Sequence, residues 1–372
     1  MVATPGTVIV TGRSTPRVGV AFSGGGFRAT AFGLGALRAL RDRDVLQDIQ
    51  VVSGISGGSL LTAMWAYGPA DFDTFDSNVV ELLTHGLQAE LIKRAVHPSL
   101  AAANLLSSIQ ALPATKRNRR STRTEALVNA LAARDFGTKT MADVTHPETD
   151  VIISAADLST GNAVRFGSEV SACSPHGVIT ESVPVADAVA ASAAFPVLLP
   201  HLNRSYTFTQ RNGTTKRKTM LMTDGGVYDN LGLTPLLPGR SRAHTSHVHD
   251  LDYIVAVDAG IGRITHRAPN HWPGRMSRSF AIAHTRAQDS LRAHMHDLAQ
   301  HGLLTGFVYS YLGMRDSRLP TPLPDLVPRE SVFTYPTNFA AVAPNDLAAL
   351  TTRGEQLTRV LLDLYCPNLA RS

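Results

Sequence analysis

Two glycine-flanked clusters hold the residues best suited to chemistry. Gly54-Ile55-Ser56-Gly57-Gly58 fits G-x-S-x-G, in which a serine on a sharp strand-to-helix turn presents its hydroxyl as a nucleophile. Further on, Asp224-Gly225-Gly226 sets a carboxylate before two glycines. A serine hydroxyl needs a neighbouring base to take its proton. An aspartate can serve within hydrogen-bond reach, provided burial lifts its pKa toward the working range. The 14 histidines offer the other route. An α/β-hydrolase triad would draw on a late one such as His244, His247, His249 or His284, and none of these has a distinctive setting.

A third cluster, Ser23-Gly24-Gly25-Gly26-Phe27-Arg28-Ala29, admits several readings. Gly24, Gly26 and Ala29 satisfy the dinucleotide fingerprint, but the second strand ends in SGISGG, without the acid that would hold a ribose. A P-loop fails sooner, because no G-K-[ST] follows. Successive glycines at a helix start also make an oxyanion hole, with backbone N–H groups turned into a cleft and the helix's positive end behind them. The plainest alternative is a tight turn with no ligand.

These clusters need a scaffold. RVGVAFS (17–23) and IQVVSGI (49–55) read as buried strands, each followed by a helical pattern, so the first 68 residues form β-α-β-α. That pattern predicts an α/β fold with a mainly parallel sheet between helices. DVIISAADLSTGNAVRF predicts two strands around a turn, and Asn212-Gly213 a hairpin leading to the strand that ends at Asp224. VPVADAVAASAAFP reads as a helix ended before Pro196, DYIVAVDAG as a buried strand, and residues 346–365 as a closing amphipathic helix. With no internal repeat or clear linker, the expectation is one catalytic domain over 1–372. Its core motifs lie at 17–260, a helical insertion at about 76–135, and a C-terminal extension at about 261–372.

Taken together and in order, these blocks resemble the patatin-like phospholipases, lipid acyl hydrolases with a Ser–Asp dyad. More distantly the chain is similar to the catalytic domain of cytosolic phospholipase A2. ADLSTG (156–161) and ASAAFP (191–196) resemble two further family blocks, and the likeness spans about 20 to 232. It implies a patatin-like three-layer α/β/α fold, with Ser56 as nucleophile and Asp224 as base. Gly25 and Gly26 would supply oxyanion-hole N–H groups and Gly57 a third. Arg28 would either contact a head-group phosphate or brace the loop, bracing being the favoured role. Ser23 stands where many members carry aspartate, and Ala29 replaces a common glycine; neither change removes an oxyanion donor. The implied reaction cleaves acyl ester bonds of phospholipids or related lipids through an acyl-enzyme, with no metal or organic cofactor. The alternatives are a catalytically silent lipid-binding or regulatory protein on the same fold, or an esterase for a non-lipid ester.

Composition sets the outer bounds. Hydrophobic content of 44% and charged content of 17% describe a globular chain. Two cysteines rule out a disulfide framework. No signal-peptide pattern opens the chain, and no run nears the roughly 18 apolar residues of a membrane span. The expectation is a cytoplasmic protein, peripheral to membranes at most. The net charge of +5 permits contact with anionic lipid. KRNRRSTR (116–123) is either such a contact or a solvated loop, and without interleaved aromatics it does not read as a nucleic-acid site. Leu82, Leu83, Leu87, Leu91 and Ile92 either cap the site or simply pack in the core, the latter for most of them. HTSHVHD (244–250) reads as an exposed polar loop rather than a metal site, and His294 and His296 as structural or solvated.

Overall fold

A computed structural model describes residues 15–87, 122–196, 199–262, 269–319 and 323–369. The chain opens as β1 (Val18–Phe22), α1 (Gly26–Asp42), β2 (Ile49–Gly54) and α2 (Gly57–Tyr67), the expected β-α-β-α. From the insertion come α3 (Phe72–His85) and α4 (Arg123–Leu131). The middle of the chain then forms β3 (Asp150–Asp157), β4 (Asn162–Gly167), β5 (Ala172–Cys173), β6 (Gly177–Ile179), α5 (Val185–Ser192), β7 (Leu202–Thr209) and β8 (Thr215–Asp224). Last come α6 (Gly226–Asp229), β9 (Tyr253–Asp258), α7 (Trp272–Gln300), β10 (Gly306–Tyr311), α8 (Arg329–Val332) and α9 (Pro344–Tyr365).

All ten strands of the described residues join one sheet in the order β10-β9-β1-β2-β3-β4-β5-β6-β7-β8, and β8 returns to pair with β3. The expectation of a mainly parallel sheet needs correction, because the sheet is mixed. The pairs from β10 to β3 are parallel, whereas those from β3 through β8 are antiparallel. Connection length explains the change. Helices carry the chain between the first strands, but β3 meets β4 through the Leu158–Gly161 turn, and a short turn can only join antiparallel neighbours.

In the parallel half, successive side chains point to opposite faces and both faces are covered. Val18, Val20 and Phe22 of β1 join a large core with α1, α2 and α9. Ala21, Ile254 and Ala256 join a second core with Leu233 and Leu236 and with Met295 and Leu298 of α7. The C-terminal residues are thus built into the frame that holds the first glycine cluster. Leu347, Leu350, Leu357 and Leu361 of α9 are buried, each worth about 2 kcal/mol. The α1–α9 contact is backbone to backbone: a β-carbon on Gly35 would lie 1.9 Å from the Thr351 carbonyl oxygen, and one on Gly354 2.1 Å from that of Phe32. Leu82, Leu83 and Leu87 are core residues, while Leu91, Ile92 and residues 116–121 lie outside the described residues.

Candidate active site

Ser56 stands between the end of β2 and the start of α2, at that helix's positive end. Its φ of 52° and ψ of −119° lie in territory that costs a non-glycine residue on the order of 1–3 kcal/mol. Neighbours hold the turn there. The Ser56 N–H donates to Ser192 Oγ at 2.9 Å, and the Ser56 carbonyl accepts from Ser59 Oγ at 2.6 Å.

The pairing of β3 brings Asp224 to the same place. Because β4 occupies one edge of β3 along 152–157, β2 and β8 must share the other. β2 runs parallel and reaches Gly54 opposite Ile153. β8 runs antiparallel and reaches Asp224 opposite Ala155. The two strands therefore point at each other across Ser154. Asp224 is buried, donates its own N–H to the Ala194 carbonyl at 3.0 Å and receives the Gly226 N–H on Oδ1 at 2.7 Å. Its carboxylate also senses the Ser56 side chain. Burial pushes the Asp224 pKa up to about 6, against the opposing pull of the Gly226 N–H and the Ser56 hydroxyl.

The first glycine cluster packs directly on the serine turn. A β-carbon on Gly57 would stand 1.9 Å from the Gly26 carbonyl oxygen, and one on Gly24 would stand 3.4 Å from Ser56 Cβ. Thr30 Oγ1 donates to the Gly57 carbonyl at 2.9 Å and ties the two turns together. Gly25 has φ 149° and Gly26 φ 58°, conformations that favour glycine. The flanking N–H groups are taken, that of Gly24 by the Asn230 carbonyl and that of Phe27 by the Asn338 carbonyl. The N–H groups of Gly25, Gly26 and Gly57 have no acceptor among the described residues. Three open donors thus lie in the neighbourhood of a serine hydroxyl and a carboxylate of raised pKa, a combination suited to acyl transfer.

Arg28 donates through Nη1 to the Tyr335 carbonyl at 2.7 Å, a contact that braces the loop from the C-terminal part of the chain. Ser23 Oγ receives the Ala259 N–H at 2.9 Å, so this unusual residue links the glycine loop to the end of β9.

Four further residues that the sequence analysis did not single out support the site. Ser192 holds the Ser56 N–H through its hydroxyl and the Gly225 N–H through its carbonyl. The Asn230 side chain fills the space between Gly24 and Gly226. Asn338 and Tyr335 reach the glycine loop from more than 300 residues away in sequence. A prompt existed only for Ser192, which sits in the ASAAFP block.

The histidines are dispersed. His244 is exposed. His247 is buried, contrary to the exposed loop expected for HTSHVHD: its Nε2 meets the Val170 carbonyl at 2.9 Å, and burial pushes its pKa down to about 3. His249 lies 3.6 Å from Asp150. His284 lines a cavity with Gly226, and burial lowers its pKa. His294 and His296 are exposed on α7. No group of three or more His, Cys, Asp or Glu placed to hold a metal ion occurs among the described residues. No helix there is long and apolar enough to cross a membrane.

Known proteins share this arrangement at the level of family and fold. Residues 20–237 match the family model for patatin-like phospholipases. The chain is 28% identical over 235 residues to uncharacterised NTE family proteins of Mycobacterium bovis and Mycobacterium tuberculosis, an overlap covering 62% of this chain and 49% of theirs. It therefore spans about half the length of the curated relatives it matches. Human GIVD cytosolic phospholipase A2, solved with a fluorophosphonate inhibitor, is similar in fold. It superposes with a TM-score of 0.52 at 14% identity, over 95% of this chain and 58% of that one.

Proposed function

The chain belongs to the patatin-like phospholipase family, and on that premise we propose that it is a lipid acyl hydrolase working through Ser56 and Asp224. The observation that carries this reading is the head-on approach of β2 and β8 along one edge of β3, which sets a strained serine turn beside a buried carboxylate. Asp224 takes the proton as Ser56 Oγ attacks the ester carbonyl carbon. Negative charge on the carbonyl oxygen is met by the N–H groups of Gly25, Gly26 and Gly57. As the tetrahedral intermediate collapses, the alcohol leaves with the proton from Asp224 and the acyl group stays on Ser56. Asp224 then takes a proton from water as the water oxygen attacks the acyl-enzyme, and it passes that proton to Ser56 Oγ as the acyl–Oγ bond breaks and the fatty acid departs. A pKa near 6 suits both duties, since the carboxylate is ionised at neutral pH and is still a far better base than an exposed aspartate.

The substrate class follows from the family, as a phospholipid or related acyl lipid. Residues 1–372 act as one catalytic domain, because the C-terminal residues brace the glycine loop through Tyr335 and Asn338. The test is hydrolysis of phospholipid and of a short acyl ester by wild type, Ser56→Ala and Asp224→Asn. Turnover in wild type alone supports the reading. Retained turnover in Ser56→Ala removes it, and binding of lipid without turnover by wild type makes the chain a silent lipid-binding protein.

A further inference from the structure

The long helix α7 shows an apolar face that changes character along its length. By helical periodicity Trp272, Met276, Phe280, Ala283, Ala287, Leu291 and Leu298 fall on one side. At the C-terminal end of that side, Leu298 and the adjacent Met295 are buried in the second core. At the N-terminal end the same side is bare, with Trp272, Met276 and Phe280 all exposed. Ile282 is exposed too, and so are Val227 and Tyr228 on α6.

This bare region adjoins the dyad. A cavity of about 160 Å³ between the two helices is lined by Gly226, Tyr228, Asn230, Phe280, His284 and Leu291. Gly226 donates to Asp224, and His284 of α7 faces Gly226 across this cavity. Charge follows the same pattern. Between Trp272 and Gln288 the helix carries Arg275, Arg278 and Arg286, all exposed, and no acidic residue.

We propose that the N-terminal half of α7, with Val227 and Tyr228 of α6, is a membrane-docking face that seats on an anionic bilayer and brings the dyad to the lipid surface. A helix with aromatic and aliphatic residues on one side and arginines on the other lies in the interface plane of an anionic membrane. The arginines also argue against a second copy of this chain as occupant, since each face would present like charge to the other. This inference deepens the lipid hydrolase reading and rests on it for its purpose, while docking itself is measured without turnover.

The chain carries its own reporter. Of its two tryptophans, Trp65 is 5% exposed and Trp272 67% exposed, so a change in emission on docking comes from Trp272. The experiment mixes the full chain with vesicles of phosphatidylcholine alone, or of phosphatidylcholine and phosphatidylglycerol in roughly equal parts. It follows co-sedimentation and fluorescence for wild type, Ser56→Ala, Trp272→Phe, the triple Trp272→Ala/Met276→Ala/Phe280→Ala and the triple Arg275→Glu/Arg278→Glu/Arg286→Glu. Wild type and Ser56→Ala should bind the mixed vesicles with a blue shift, which Trp272→Phe abolishes. Both triple variants should bind at least about tenfold more weakly, while melting and cleaving a soluble short-chain ester as wild type does. Their hydrolysis of vesicle lipid should fall by a similar factor.

Several outcomes overturn the docking face: wild type that ignores both vesicles, an apolar triple variant that binds like wild type, or a wild-type dimer that the apolar triple turns into a monomer. If binding behaves as expected and no form cleaves any ester, the hydrolase reading fails and the docking face stands.

Discussion

The Ser192 hydroxyl accepts the backbone N–H of Ser56 at 2.9 Å, and the Ser192 carbonyl accepts that of Gly225, next to Asp224, at 3.2 Å. One residue at the end of α5 therefore holds both Ser56 and the turn that follows Asp224, the two members of the proposed dyad. Ser192→Ala leaves the Ser56 N–H buried without a partner, at a cost of about 1–3 kcal/mol. Because the loss falls on positioning, kcat should drop roughly tenfold with KM nearly unchanged. Steady-state kinetics on a soluble ester, with a thermal melt alongside, check this. Unaltered kcat in a destabilised variant would reduce Ser192 to a packing residue.

Gly57→Ala tests the contact between the two glycine turns. Its new β-carbon would meet the Gly26 carbonyl oxygen at 1.9 Å, and backbone cannot yield as a side chain can. One turn must shift, carrying with it the N–H groups proposed for the oxyanion. Turnover should fall at least about a hundredfold, with stability lowered by about 1–3 kcal/mol. Activity within a few-fold of wild type would show that the oxyanion is held elsewhere.

Arg28 separates two roles. Its bond to the Tyr335 carbonyl predicts that Arg28→Ala slows a short soluble ester and a phospholipid by similar factors and lowers Tm. A rise in KM confined to phospholipid would instead make Arg28 a head-group contact.

Asp224 ties activity to pH in a definite direction. In the proposed mechanism Asp224 is the base and must be ionised, so kcat/KM should climb tenfold per pH unit below about 6 and level off above. The same burial affects stability with the opposite sense. A carboxyl raised from 3.8 to about 6 in the folded chain contributes stability that is fully present below about 3.8 and lost as pH rises through about 6. Above that window the ionised, buried group costs about 3 kcal/mol. Asp224→Asn removes the charge and can keep the bond from the Gly226 N–H. It should melt higher than wild type at pH 8 and nearly level with it at pH 4, while losing turnover. An equal melting gap at both pH values would contradict the burial argument.

What was legible in the sequence was what the backbone does locally. Ser56, Asp224 and Gly24 to Gly26 each sit where a strand ends in small residues, and such turns announce themselves by composition. The antiparallel half was harder to see, because β5 and β6 span two and three residues and have no periodicity to read. Helix α7 escaped as a unit because its apolar face is bare over the first half and its polar face is rich in arginine and histidine. Ser192, Tyr335 and Asn338 act through long-range contacts that no spacing encodes. His247 looked solvated among polar neighbours, yet the Val170 carbonyl draws it inside.

The most direct measurement is to treat the protein with a fluorophosphonate probe and locate the adduct by peptide mass spectrometry. Attack by Ser56 predicts a single adduct on the peptide containing Ser56, none on Ser56→Ala, and much slower labelling of Asp224→Asn. Equal labelling of wild type and Ser56→Ala, or an adduct at another residue, would contradict it.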